Sequence, residues 1–323
     1  MTLTKYPNGV SSCGVPLTGS VNPFGSVWFV AASGGSNGNS GTDPDNAFAT
    51  IVYAIATGVA GDTIILGPGT HSIDTSASAL VPKADMQFVA AIPPNGTKPS
   101  TIITGDADDL ACMCTIDVDG VGFHGIEFLL VAGATTAFDL FDISQSTAVN
   151  GLVFNDCWFN LNSVDNTAIR ALCLDDATNV TTGMVVRNCK FIGGDATTGV
   201  SYYIVLGVAG IEDCLFEGNT FLLEASGGDA EAFVIADSGA AADINYATVI
   251  RNNDFIGAID GAADTIPIAV GGLTEGECLL VLRSNYFAYC AAAAVTADKI
   301  SEGVIRNYVG DNATGGTLVV GGA

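Results

Sequence analysis

Arg187-Asn188-Cys189-Lys190-Phe191 returns along the chain as Arg251-Asn252-Asn253-Asp254-Phe255, and again as Arg283-Ser284-Asn285-Tyr286-Phe287. The same pattern surrounds Phe128 (Gly125-Ile126-Glu127-Phe128), Phe159 (Asn155-Asp156-Cys157-Trp158-Phe159) and Phe221 (Gly218-Asn219-Thr220-Phe221). These six phenylalanines are separated by 31, 32, 30, 34 and 32 residues, and a degenerate last copy stands at Val304-Ile305-Arg306-Asn307-Tyr308-Val309. Self-similarity at such a period marks a repeat architecture. Helical repeats would need two amphipathic helices per period. The runs here are short, β-branched and punctuated by Gly and Asn, so each period reads as one coil of three short strands and their turns. The coils stack into an all-β solenoid, a parallel β-helix that grows by adding turns.

Stacking places equivalent residues of successive coils about 4.8 Å apart. Two residues before the anchors stand Ile126, Cys157, Cys189, Asn219, Asn253 and Asn285, which predicts an inward column of two cysteines continued by an asparagine ladder. The anchors Phe128, Phe159, Phe191, Phe221, Phe255 and Phe287 form a second inward column. Four residues before the anchor Arg187, Glu217, Arg251 and Arg283 recur, which reads as an outward charged face that partly neutralises an acidic surface.

Upstream of the repeats the order of elements is distinctive. Val27-Trp28-Phe29-Val30 reads as a strand, and a polar, turn-rich loop of Gly, Asn, Ser and Asp runs from Ser33 to Pro44. Phe48-Ala49-Thr50-Ile51-Val52-Tyr53-Ala54-Ile55-Ala56 carries apolar residues at helical spacing and is followed by Gly58 and Gly61. Asp62-Thr63-Ile64-Ile65-Leu66-Gly67-Pro68-Gly69-Thr70-His71 reads as a strand and a sharp turn. The segment Val27–His71 resembles the opening of pectin-lyase-like β-helix proteins, in which a short cap helix precedes the first coil. That resemblance implies a right-handed β-helix with an amphipathic helix covering the exposed end of its core. The expected organisation is an N-terminal arm over 1–26 and a β-helix domain over 27–323. The domain divides into strand, loop and cap helix at 27–61, coils at 62–315 and a terminal strand or tail at 316–323.

The arm has too much Pro and Gly for a regular element, yet Tyr6, Pro7, Val10, Val15, Leu17 and Phe24 give it a scatter of groups suited to attachment on a partner. Tyr6-Pro7-Asn8-Gly9-Val10-Ser11-Ser12 followed by Gly14-Val15-Pro16 resembles the leader of a group of tailed-bacteriophage virion proteins. That resemblance implies a virion structural protein, capsid-decorating or head-fibre-like, assembled in the host cytoplasm. It also implies a homotrimer that contacts other virion proteins such as the major capsid protein.

The chain has 34 acidic and 10 basic residues, for a formal net charge of −24. Such a surface repels nucleic acid and anionic membranes, so neither is an expected partner. No apolar run is long enough to span a bilayer, and Met1–Gly19 lacks the charge and apolar core of a signal peptide. The nine cysteines have no zinc-knuckle spacing and read as buried reduced thiols, in keeping with cytoplasmic assembly.

Catalysis on a β-helix needs a gathered site: two carboxylates flanking a glycosidic bond, or acidic residues with a basic partner. The acidic candidates are Asp175 with Asp176, Asp213 with Glu217, Asp229 with Glu231, and Asp106 with Asp108 and Asp109. Most are flanked by Gly, Ala and Ser, as solvated loop residues are, and no Arg or Lys accompanies them. The oxygen-rich loop Asn37–Asp45 offers ligands for calcium but lacks EF-hand spacing. The sequence therefore predicts no catalytic, cofactor or metal residues and a chain that is not an enzyme. A tailspike-type polysaccharide depolymerase, lyase or hydrolase, and a carbohydrate-binding adhesin are the competing readings.

Overall fold

The computed structural model describes the strands and short turns between Gly25 and Ala288, with residues 11–12, 15–16 and 308–309. Residues 1–10, 13–14, 17–24, 74–78, 95–96, 107–111, 132–137, 144–145, 162–168, 175–178, 194–200, 207–210, 224–229, 236–247, 258–267, 271–279, 289–307 and 310–323 lie outside that description. The chain is a right-handed parallel β-helix, the fold its period predicts. Among the described residues, a first sheet of nine strands runs from Val27–Val30 through Gly122–His124 to Leu280–Arg283. A second sheet of nine runs from Gly69–Ser72 through Ile126–Val131 to Tyr308–Val309. A third of six runs from Cys112–Ile116 to Ile268–Val270. Neighbouring strands in each sheet come from successive coils and pair in parallel, as Val153 with Val185 and Val185 with Leu215 do.

The corner between first and second sheets explains the punctuation of the repeat. The residue three before each anchor has a positive φ: Gly125, Asp156, Asn188, Gly218, Asn252 and Ser284. The left-handed conformation turns the chain sharply in one residue, and Gly, Asn and Asp tolerate it best. The next residue then points inward. The amides of Asn219, Asn253 and Asn285 donate to the carbonyls of Val186, Phe216 and Ile250 at 2.9, 3.0 and 2.9 Å. Asn253 Oδ1 accepts from the Asn219 backbone N–H at 2.9 Å, and Asn285 Oδ1 from that of Asn253 at 3.0 Å. In the earlier coils the Cys157 and Cys189 thiols take the donor's place, reaching the Phe123 and Phe154 carbonyls at 3.4 and 3.6 Å.

The anchor rings stack along the axis. Phe159, Phe191, Phe221, Phe255 and Phe287 lie with successive centroids 4.5, 4.6, 4.9 and 4.9 Å apart and nearly parallel planes. A second column, Phe88, Phe123 and Phe154, stacks inside the first sheet at 4.8 and 5.4 Å. At the N-terminal end α1 (Ile51–Thr57) buries Ile51, Ala54 and Ile55, and Thr50 caps it by accepting from the Tyr53 N–H. The helix begins three residues later than its apolar pattern predicts. Phe48 instead donates its N–H to the Phe29 carbonyl at 2.8 Å and accepts from the Ala31 N–H at 3.0 Å, as an extra strand residue would.

Candidate functional site

Asp139 and Asp142 share the strand Phe138–Ile143 of the third sheet. In a regular strand residues three apart face opposite ways. Here they share a face, because Leu140 and Phe141 between them are both fully buried. The neighbouring strands break step at the same place. Asp139 is registered with Cys112 and Arg170, and Phe141 with Cys114 and Leu172, while Leu140 is skipped. The skip passes on to Tyr203, and Met113, Leu140, Ala171 and Tyr203, all fully buried, mark a bend across the sheet.

The bend gathers two short rows on the outer side: Cys112, Asp139 and Arg170, then Thr115, Asp142 and Cys173. Carboxylate oxygens of Asp139 and Asp142 and the Cys173 sulfur lie within 4.8 Å of one another. Arg170 grips Asp139 with two parallel hydrogen bonds, Nε to Oδ1 at 2.5 Å and the terminal nitrogen to Oδ2 at 2.7 Å. Such a fork fixes the carboxylate in orientation as well as charge. Asp139 is 8% exposed, so the pair sits at the protein surface without being fully solvated. Burial pushes the Cys112 thiol above its usual range, a hydrogen bond to Thr115 opposes that shift, and Asp142 and Asp139 add to the rise. Cys112 thus stays protonated at neutral pH and is no nucleophile. Two carboxylates with a neighbouring guanidinium can exchange protons with a glycosidic oxygen and hold charge beside it. Carboxylate oxygens with a thiol also form a donor set that could hold a divalent cation.

The acidic candidates taken from the sequence fall elsewhere. Asp213 is an exposed turn residue with positive φ, and Glu217 accepts from Arg251 Nε at 2.8 Å on the outer side of the first sheet. Glu231 is in strand register with Tyr202, and Asp106 ends a strand of the second sheet. Asp108, Asp109, Asp175, Asp176 and Asp229 lie outside the described residues. In the loop before α1, Asn37 Oδ1 accepts from the Ala49 N–H, Asn39 donates to the Ala47 carbonyl, and Asp43 accepts from the Asp45 and Asn46 N–H groups. These side chains hold the loop's own backbone. Of the attachment residues, Val15 belongs to the pair Ser11–Ser12 with Val15–Pro16, and Tyr6, Pro7, Val10, Leu17 and Phe24 are outside the description. The sequence signal that was missed is Phe138-Asp139-Leu140-Phe141-Asp142-Ile143. Strict alternation assigns its two aspartates to opposite faces.

No known family profile matches the sequence, and no curated protein matches it either. Solved structures do match. A rhamnogalacturonan lyase is 14% identical over 83% of this chain and 75% of its own, with a TM-score of 0.44. A pectin methylesterase from Aspergillus niger is 13% identical over 90% of this chain and 86% of its own, with a TM-score of 0.47. A pectate lyase is 13% identical over 88% of this chain and 74% of its own, with a TM-score of 0.46. The likeness is one of fold. The expectation that the chain is not an enzyme is set aside, because the matched proteins on this scaffold are enzymes; the activity is theirs, and what they share with this chain is the fold. That expectation rested on the absence of a local carboxylate motif, whereas strand stacking assembles sites from residues a whole coil apart, as with Asp139 and Arg170.

Proposed function

We propose that this β-helix is a polysaccharide depolymerase of the tailspike type, cleaving glycosidic bonds at Asp139 and Asp142. The observation that carries the reading is the pair itself: two carboxylates within 4.8 Å on one outer strip, one of them forked by Arg170. Carboxyl groups about 5–5.5 Å apart suit direct attack by one while the other donates a proton, whereas wider pairs leave room for a water. In this arrangement Asp139, gripped by Arg170, is the nucleophile or charge stabiliser, and Asp142 is the acid and then the base. Elimination would ask for a basic side chain at the sugar ring, and Arg170 is committed to Asp139. The enzymatic neighbours on this scaffold and the leader at residues 6–16 support a glycan as substrate and a phage particle as the setting.

The test is release of reducing ends from bacterial surface glycans and pectic polymers. Wild-type protein is expected to release them, and D139N and D142N to lose at least about a hundredfold in rate, the usual scale of a lost acid–base group. R170K, which keeps charge but not the fork, is expected to be impaired with its strand content intact by circular dichroism. Unsaturated ends would convert the mechanism to elimination. Activity that survives both aspartate substitutions would sink this assignment of the site.

A further inference from the structure

Glu127 belongs to the second-sheet strand Ile126–Val131 and is fully buried, a costly position for a carboxylate. Its strand neighbours in register are Ile102 and Trp158. Two nitrogens converge on one of its oxygens. Lys98 Nζ stands 3.1 Å from Oε1, and Asn160 Nδ2 donates to the same Oε1 at 3.0 Å. The other oxygen, Oε2, is buried and accepts no hydrogen bond in the structure. A purely structural ion pair gains most by spreading its donors over both oxygens. This one instead brings an amine and a carboxamide together on a single buried carboxylate oxygen.

We propose that Lys98 and Asn160 become joined by an intramolecular isopeptide bond, with Glu127 as the proton carrier. Glu127 takes a proton from the Lys98 ammonium, and the neutral amine attacks Asn160 Cγ. The new bond is Lys98 Nζ to Asn160 Cγ, and the bond that breaks is Asn160 Cγ to Nδ2. Of the three ammonium protons one remains on the new amide. The other two leave on Nδ2 as ammonium ion, one of them delivered by Glu127, whose carboxylate is regenerated. No oxidant, reductant or cofactor enters. The Lys98 side chain is 53% exposed, which gives the departing ammonium a way to solvent. The bond would tie the approach to strand Thr101–Asp106 to the end of strand Trp158–Asn160, over the strand that carries Glu127. Three consecutive coils would then be stapled covalently, in a fold whose coils otherwise hold only their neighbours.

The deciding measurement is the intact mass of the denatured full-length chain, followed by peptide mapping. The expected mass is that of the sequence less one ammonia, with a branched peptide joining Lys98 to Asn160. K98R, N160A and E127Q are each expected to restore the full sequence mass. K98R keeps the positive charge beside Glu127, so circular dichroism should show it folded. Full sequence mass in folded wild-type protein overturns the proposal. So does an ammonia loss that maps to an Asn-Gly step such as Asn95-Gly96 with no joined peptide.

Discussion

His124 and Gln87 show how far a single residue's protonation state is set by its neighbours. Gln87 donates its side-chain nitrogen to the Gly120 carbonyl at 2.8 Å, so its oxygen is the group that faces His124 Nε2 at 3.1 Å. An amide oxygen only accepts, and His124 therefore carries its proton on Nε2. Gly122 keeps the contact possible, since a Cβ there would meet Gln87 Oε1 at 2.1 Å. Burial, and secondarily the Arg187 charge, bring the His124 pKa down to about 4. Burial lowers His71 as well, whose Nε2 faces the Gly67 carbonyl. A histidine whose folded pKa lies below its unfolded value binds fewer protons folded than unfolded between the two values. Stability then rises with pH across that window and is lost on acidification. For His124 the window runs from 6.5 down to about 4, and full linkage over it amounts to about 3 kcal/mol. The midpoint of denaturant unfolding should accordingly fall as pH drops from 6.5 to 4, and His124→Gln, which cannot titrate, should flatten that slope. An unchanged slope in the variant would show that other groups set the acid sensitivity.

At the scale of elements, the corner ladder does what hydrogen bonds do inside a sheet, but with side chains. Asn253 both donates to the Phe216 carbonyl and accepts from the Asn219 backbone N–H, and it is fully buried. Asn253→Ala strands a buried carbonyl and a buried N–H, each costing about 1–3 kcal/mol. The expected loss is about 2–4 kcal/mol by denaturant titration, with strand content retained. A loss below about 0.5 kcal/mol would mean that water replaces the amide. This ladder was legible in the sequence because one residue per coil repeats in one register: Asn219, Asn253 and Asn285 stand two before their phenylalanines. The Phe88, Phe123 and Phe154 column was not, since Val186 interrupts it before Phe216 resumes the register. The candidate site was least legible of all. Its residues come from different coils, and the bend at Leu140 and Ala171 breaks the two-residue alternation by which an outer face is recognised. Asp139 and Arg170 become neighbours only once strand register is known.

Over the whole molecule, coils pair with adjacent coils in parallel while the chain carries 34 acidic residues against 10 basic ones. Stacking fixes equivalent positions about 4.8 Å apart, so charges that recur per coil are held closer than a Debye length at ordinary ionic strength. The outer row of the first sheet answers this locally. Arg251 pairs with Glu217 at 2.8 Å, and Arg187 donates to Asn155 at 3.0 Å. Those contacts cannot offset a net charge of −24, and the compact state carries a repulsion that the expanded chain relieves. Sodium chloride screens that repulsion more than it weakens a few partly buried pairs. The thermal midpoint should therefore rise between about 0.01 and 0.5 M NaCl, as the screening length shrinks from about 30 Å to a few ångströms. A cluster of charge-reversing substitutions on one acidic face, Asp to Lys, should reduce the salt response in proportion to the net charge removed. A midpoint that falls with salt would mean that the specific pairs, Arg170 with Asp139 and Arg251 with Glu217, outweigh the global repulsion.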